Sequence, residues 1–223
     1  MAKSFAGLGA TICDTSADLP AASAALEGLL YFQKDTNELK ICDGINWISM
    51  LDTDAPPGLT LLSARGMGSV TNSVSDVFSS AYASYRIVVS FTNGSSTTRP
   101  VGLRFRTSSD DTSANYNWYQ RGVYASGTVF DAGAVGQTGT TVCSIGTTTP
   151  GLSLIFDVNS PNLVAVTSYT GQALTYQSDV GSYVFRLLGG AMNTTTQYTG
   201  FSIYGVTDVL NGTIRTYGYR NNI

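Results

Sequence analysis

Histidine is absent from this sequence of 223 residues, and charged residues make up only 12% of it. That charged share is about half of the roughly 25% found in average proteins. Without histidine the chain cannot form a Ser-His-Asp triad, a Cys-His pair or a histidine-ligated zinc site. Lys and Arg form no basic cluster, which excludes the usual electrostatic footprint of a nucleic-acid-binding protein. We therefore expect no nucleic acid among the partners and no enzyme that depends on a histidine base.

Cysteine is also scarce: Cys13, Cys42 and Cys143 are the only three, and no CxxC pair occurs. An odd number of distant cysteines builds neither a disulfide framework nor a zinc site, so we expect buried, reduced thiols and no metal. The N-terminus lacks the apolar core of a secretory signal, and no run approaches the roughly 18 apolar residues of a membrane span. These absences predict a chain that is made in a reducing cytosol, does not insert into a membrane and carries no cofactor.

The residues that are abundant favour β structure. Thirteen Tyr, nine Phe and many Thr suit pleated, half-buried surfaces, and 24 Gly supply turns. Beyond the first quarter of the chain, short runs alternate apolar and polar residues, as in Val101, Leu103 and Phe105. Residues 69–82 are compatible with a short helix. The runs that predict strands are 60–64, 85–91, 101–107, 116–124, 140–145, 152–158, 162–170, 183–189, 199–207 and 212–220. Their spacing, with polar turns between them, predicts an all-β chain whose main part is an antiparallel, jelly-roll-like β-sandwich.

The first part of the chain has a different charge pattern. All three lysines and both glutamates lie in the first 40 residues, and Asp and Arg supply every later charge. Such a shift indicates two modules, which we place at residues 1–55 and 59–223. Residues 29–51 predict a three-stranded β-meander, residues 19–30 predict one or two helical turns or coil, and residues 52–58 predict a stiff linker.

A meander of this size has little core of its own and needs a surface to pack on. Its large apolar side chains are therefore candidates for the core of a docking segment or connector. These residues are Leu30, Phe32, Ile41 and Trp47. We expect residues 1–55 to anchor the protein to an assembly.

The aromatic cluster Tyr116, Trp118 and Tyr119 is the best candidate for a ligand or receptor surface. Exposed aromatic rings beside Asn and Arg form platforms for sugar rings, because a flat apolar face stacks while polar neighbours bind hydroxyls. Alternating aromatics in a strand are more often packed in the core or in a subunit interface, and we favour that interpretation for these rings. A second aromatic set near the C-terminus, for which we favour an interface, comprises Tyr204, Tyr217 and Tyr219.

Asp110 and Asp111 are the only adjacent carboxylates. We favour a solvated loop for this pair. A Ca²⁺ site is the second interpretation, and a catalytic pair of the glycosidase type is the third.

A pattern of about 40 residues begins at 12–16 (ICDTS). It continues with Pro20, Glu27-Gly28, Leu30-Tyr31, Asp35-Thr36, Asp43-Gly44 and Trp47. This pattern resembles a segment common in fibre and surface structural proteins of tailed bacteriophages. More loosely, runs such as 84–88, 199–201, 212–215 and 217–218 resemble strands found in phages of cyanobacteria and other marine hosts.

The resemblance implies a virion component, commonly a homotrimer, that is synthesised in the host cytoplasm. Its N-terminal part would dock onto other virion proteins of the capsid or tail, and its β-sandwich would be exposed for attachment to a host-surface glycan. No long shaft or coiled-coil repeat is visible, so a short fibre, a knob or a capsid decoration protein fits this chain better than a long tail fibre. The main alternative is a carbohydrate-binding module or lectin. A glycan-degrading enzyme is a third possibility, since two carboxylates suffice for that chemistry.

Overall fold

The computed structural model of the chain describes residues 3–4, 10–13, 15–36, 38–50, 58–93, 98–146, 152–206 and 208–220. The chain divides into two compact units, Met1–Pro57 and Gly58–Asn221, which we name the N-terminal unit and the head. Apart from Gly58, the predicted linker at 52–58 lies outside the described residues.

The N-terminal unit contains a five-stranded sheet in the order β1-β2-β3-β4-β5. Its strands are β1 (Lys3–Ser4), β2 (Ala10–Cys13), β3 (Leu30–Gln33), β4 (Glu38–Cys42) and β5 (Trp47–Ser49). The antiparallel meander β3-β4-β5 lies where the sequence predicts it. Two further strands, which the sequence reasoning missed, extend it, and β2 pairs with β3 in parallel. A parallel pair needs a crossover connection, and the chain between the two strands supplies it.

The crossover is where the sequence predicts a turn or two of helix. It contains two 3₁₀ helices, Ser16–Asp18 and Ala24–Leu26, each of three residues. Such a short segment cannot sustain an α-helix, because nucleation costs more than a few hydrogen bonds return. No helix in the described part of the chain is long and apolar enough to cross a membrane.

The head consists of an eight-stranded and a four-stranded sheet, and all its strand pairs are antiparallel. Its strands are β6 (Gly58–Ser69), β7 (Thr71–Val74), β8 (Ser84–Asn93), β9 (Arg99–Arg106), β10 (Tyr116–Tyr124), β11 (Val129–Gln137), β12 (Thr140–Ile145), β13 (Leu152–Asn159), β14 (Ser168–Gln177), β15 (Ser182–Met192), β16 (Gly200–Gly205) and β17 (Leu210–Arg220). The prediction of an all-β, antiparallel fold is confirmed.

Four strand pairs of the head are nested one inside another. β6 pairs with β17, β7 with β16, β8 with β13, and β9 with β12. The chain is thus folded like one long hairpin whose two arms pair from their ends inward. Two inserted hairpins, β10-β11 and β14-β15, add four strands to one side of the larger sheet, which runs β11-β10-β15-β14-β13-β8-β17-β6. The smaller sheet runs β12-β9-β16-β7.

The core of the head follows from the period-two pattern of its strands, since alternate side chains point to one face. Phe105 on β9 lies at its aromatic centre, with its ring centroid 5.4 Å from that of Tyr198 and 6.3 Å from that of Tyr169.

Cys42 of the N-terminal unit and Cys143 of the head are buried, free thiols, and burial raises the pKa of Cys143 to about 12. The side chain of Cys13 lies outside the described residues.

Two predictions about elements of the head are wrong, and one strand was missed. Residues 69–82 form no helix, and Thr71–Val74 are a strand. The strand predicted at 162–170 begins only at Ser168, because the apolar residues before it lie exposed in turns. The strand Val129–Gln137 was not predicted, because Ala and Gly at alternate positions give no apolar periodicity.

Candidate functional site

The four predicted docking residues lie on two faces of the N-terminal sheet. Leu30 pairs directly with Ile41, so both side chains lie on one face, and Phe32 follows two positions along the same strand. All three are half-buried. Trp47 lies on the other face, where its Nε1 donates a hydrogen bond of 2.7 Å to the carbonyl of Pro20. Trp47 therefore ties the crossover to the sheet.

The predicted aromatic cluster of β10 is split by the alternation of the strand. Tyr116 is 0% exposed, so its assignment to a ligand surface is wrong. Its hydroxyl accepts a hydrogen bond of 2.8 Å from the backbone N–H of Phe105 and donates one of 3.1 Å to the carbonyl of Asp111. Trp118 is half-buried against the core. Tyr119 points to the opposite face and is 54% exposed.

Tyr119 is isolated from other bulky side chains by its cross-strand neighbours, which are Gly133 on β11 and Gly189 on β15. Its hydroxyl donates a hydrogen bond of 2.6 Å to Asp131, and this bond raises the pKa of Tyr119. The same carboxylate lies 3.7 Å from Nε of Arg121. The hydrogen bond of the hydroxyl thus orients the ring of Tyr119, and the two glycines leave space on either side of it.

An open depression of about 710 Å³ adjoins Tyr119 at this end of the larger sheet. Small residues from three adjacent strands lie along it, and its bulkier lining residues are Trp118, Tyr119 and Val135. The small lining residues are Gly133, Ala134, Gly189, Gly190 and Ala191, and Asn117 adds an amide. The amide is fixed, because its Oδ1 accepts a hydrogen bond of 2.9 Å from the backbone N–H of Gly136.

The register extends the site from this depression across the outer face of the larger sheet. Tyr119 pairs with Gly189, Gly189 with Thr170, Thr170 with Asp157, and Asp157 with Arg86. This row and the row beside it carry small or polar side chains, and we name them the polar half of the outer face. Its members are Asn117, Tyr119, Gly189, Ala191, Ser168, Thr170, Asp157, Asn159, Ser84 and Arg86.

The charges at the far end of the row neutralise each other. Arg86 donates hydrogen bonds of 2.9 and 2.8 Å from Nε and Nη2 to the two oxygens of Asp157. Tyr219 donates a third, of 2.9 Å. Burial raises the pKa of Asp157, but the bonds from Arg86 and Tyr219 outweigh it and hold the pKa below its ordinary value. Of the predicted C-terminal tyrosines, Tyr217 and Tyr219 adjoin the polar half. Tyr204 lies in the smaller sheet, where the guanidinium of Arg104 is 4.5 Å from its ring centroid.

The part of the outer face around Phe185 is largely apolar, apart from Arg121 and Gln172, which lie opposite Leu187. We name its apolar side chains the apolar half. Val129, Val123, Phe185 and Leu174 form a continuous cross-strand row over four strands. Leu187 lies two positions from Phe185 on β15 and is 54% exposed. The paired rings of Tyr176 and Tyr183, with centroids 5.2 Å apart, complete it.

Asp110 and Asp111 are tied to the core and are not a solvated pair. Asp110 accepts a hydrogen bond of 2.6 Å from the hydroxyl of Ser202. Asp111 accepts one of 2.7 Å from Tyr198 and one of 2.8 Å from the backbone N–H of Ser113. Among the described residues, no group of three or more acidic, cysteine or histidine side chains could hold a metal ion.

Sequence reasoning located Tyr119 but not the residues that surround it. Gly189, Thr170, Asp157 and Arg86 lie far apart in the chain and meet only through the order of the strands. Comparison of the sequence with models of protein families gives no match, and comparison with curated proteins gives none either. The candidate site is therefore defined by its geometry.

Proposed function

We propose that this chain is a non-enzymatic structural protein of a tailed-phage virion, a short fibre, knob or decoration protein. The N-terminal unit docks onto capsid or tail proteins, and the head assembles as a homotrimer and faces the host surface. The resemblance of residues 12–47 to segments of such proteins supports the docking role of the N-terminal unit. The geometry of the head supports its assembly with other copies.

The nested pairing of the head strands supports a jelly roll. Numbered within the nested set alone, the eight strands give the sheet orders 1-8-3-6 and 2-7-4-5. This is the order produced when a long hairpin is rolled into two sheets. Jelly rolls are frequent in viral capsid proteins and in lectins, which fits both the leading function and its alternative. The fold alone does not decide between them.

The apolar half of the outer face is the observation that carries the proposal. Val129, Phe185, Leu174, Leu187 and Tyr183 are all substantially exposed, and they form one continuous surface across four strands. Monomeric soluble proteins rarely leave such a surface open, and interfaces are rich in aromatic residues and poor in charge at their centres. A second copy of the head, with the same low charge, is the partner that fits it.

Light scattering on the full chain tests this assembly. We expect the mass of a trimer for the natural protein and a monomer for Leu174→Asp and for Phe185→Asp. Neither aspartate would have a basic cross-strand neighbour, and a buried unpaired charge opposes association. Val164→Asp is the matched control, since Val164 is exposed on a turn outside the apolar half. A natural chain that is monomeric at all concentrations, or aspartate variants that remain trimeric, would contradict the proposal.

The hydrogen bonds and the ion pair made by Asp110, Asp111 and Asp157 support a protein that has no catalytic activity. Asp110 and Asp111 hold core hydroxyls, and Asp157 is occupied by Arg86. A glycosidase needs one carboxyl that protonates the leaving group and a second that acts as base or nucleophile. The second candidate function, a carbohydrate-binding module, is favoured by the open setting of Tyr119.

A further inference from the structure

We infer that the polar half of the outer face is a binding trough for neutral glycan chains. The inference rests on the proposed function, because an exposed attachment head needs a ligand site on its own surface. It extends that function by naming the residues of the site and the chemistry of the ligand.

The aromatic platform is Tyr119, the bulkiest member of the polar half. Glycines occupy both of its cross-strand neighbours, Gly133 and Gly189, so no side chain from the adjacent strands covers the ring there. Its hydroxyl is fixed on Asp131 at 2.6 Å, which holds the ring in one orientation. A rigid, exposed ring with a polar tip is suited to stack on the apolar face of a pyranose at low entropic cost.

The trough has the dimensions of an oligosaccharide site. It runs from Tyr119 on β10 across Gly189 and Thr170 to Asp157 on β13, which is three strand spacings or about 14 Å. Leu187, in the neighbouring row, borders it toward the apolar half. The depression of about 710 Å³ lies at the Tyr119 end of this row. A row of this length accommodates a short oligosaccharide laid across the strands.

The charges of the trough favour a neutral ligand. Asp131 is matched by Arg121 at 3.7 Å, and Asp157 is matched by Arg86 in a two-bond pair. Each carboxylate therefore has its counter-charge within the site. The remaining polar groups, which include the fixed amide of Asn117, are neutral donors and acceptors of the kind that bind sugar hydroxyls.

The test uses the full chain on an array of polysaccharides, with neutral members (dextran, mannan, β-glucan and galactan) and anionic members (alginate and hyaluronan). The best oligosaccharide from the array is then titrated by calorimetry. We expect binding to at least one neutral glycan, with a dissociation constant between micromolar and millimolar. Tyr119→Ala should weaken it at least about tenfold by removing the stacking surface.

Gly189→Leu is the second variant, because it should fill the trough without disturbing the fold. A Cβ at Gly189 would lie 3.4 Å from the carbonyl of Tyr169 and 3.6 Å from Cγ2 of Thr170, which are ordinary contacts. We expect loss of glycan binding with an unchanged melting temperature. Tyr183→Ala, which removes an exposed tyrosine from the apolar half, is the matched control and should retain binding.

The outcomes separate this inference from the proposed assembly. Failure of all neutral glycans to bind, binding of anionic glycans alone, or unchanged binding in both Tyr119→Ala and Gly189→Leu would each overturn the glycan trough. A trimeric mass by light scattering in the same samples would leave the structural function standing. A monomeric protein that still binds neutral glycan through Tyr119 would instead support the trough and favour the carbohydrate-binding module.

Discussion

Tyr198 donates a hydrogen bond of 2.7 Å from its hydroxyl to Oδ2 of Asp111, and so fastens the connection between β9 and β10 to the core. Oδ1 of the same carboxylate accepts a bond of 2.8 Å from the backbone N–H of Ser113. Burial raises the pKa of Asp111, but a further hydrogen bond from the hydroxyl of Ser113, together with the two bonds above, outweighs it. The pKa therefore lies below its ordinary value. The connection therefore depends on a charged carboxylate.

The first prediction concerns the stability of the protein in acid. Because the pKa of Asp111 is lower in the folded state, its ionised form stabilises the protein above the unfolded pKa of about 3.9, and this contribution is lost as the pH falls through the folded pKa. We expect Asp111→Asn to lower the free energy of unfolding by about 1–3 kcal/mol at neutral pH. The difference should shrink as the pH falls below the unfolded pKa of the carboxyl and through its lower folded pKa. Urea unfolding at neutral, mildly acidic and acidic pH measures it.

Two comparisons control this prediction. Tyr198→Phe removes one donor to Asp111, so it should reduce the pH dependence in the same direction but by less. Some acid sensitivity should persist in Asp111→Asn, because the pKa of Asp157 is also lowered. A variant that loses equal stability at every pH would show that the ionised state of Asp111 is unimportant.

Strands with large side chains at every second position could be predicted from the sequence. The runs around Ile87, Phe105 and Phe156 alternate clearly, and their buried side chains are those that the pattern indicates. The chain around Val129–Gln137 could not be predicted, because an edge strand covered on one face needs few large residues. The apolar run near 162–166 predicts a strand, but the chain turns there, and composition does not reveal this turn.

The candidate site could be predicted only in part, for a similar reason. An exposed tyrosine beside Asn and Arg was a reasonable candidate platform, and Tyr119 occupies such a position. Tyr116 is three residues away and lies in the core, because residues an odd number apart point to opposite faces of a strand. The rest of the trough depends on which strands are neighbours. Gly189 and Asp157 become part of one row only through the insertion of β14-β15 into the sheet.

The second prediction concerns Phe105, whose ring lies within 6.4 Å of the ring centroids of Phe78 and Tyr116 as well as near Tyr198. Phe105→Ala should lower the free energy of unfolding by about 3–5 kcal/mol, because it leaves a cavity that rigid aromatic neighbours cannot fill. Phe105→Leu keeps most of the side-chain volume and should lower the free energy of unfolding by less. Midpoints of denaturant unfolding compare the stabilities of the two variants. Equal costs for both would mean that ring contacts, not volume, stabilise this part of the core.

The third prediction compares two glycines on opposite faces of the larger sheet. A Cβ at Gly171 would lie 2.3 Å from the carbonyl oxygen of Ile155 and 2.4 Å from Cβ of Phe156, so β14 and β13 would have to separate. Gly171→Ala should therefore destabilise the head strongly. Gly189→Ala, with its nearest contact at 3.4 Å, should be nearly neutral or slightly stabilising. Thermal melts of the two variants provide the comparison, and a similar loss in both would contradict the described register.

The fourth prediction concerns a truncated chain that begins at Gly58. Every residue of the main buried cluster lies between Met67 and Ile214, so the head contains its complete core, and the truncated chain should melt cooperatively. The apolar half also lies wholly on the head, so we expect light scattering to give the same trimeric mass as for the full chain. If the truncated chain were monomeric and the full chain trimeric, the first 57 residues would hold the trimer together. The apolar half would then be a surface for a different partner, and Phe185→Asp in the full chain would leave the trimer intact.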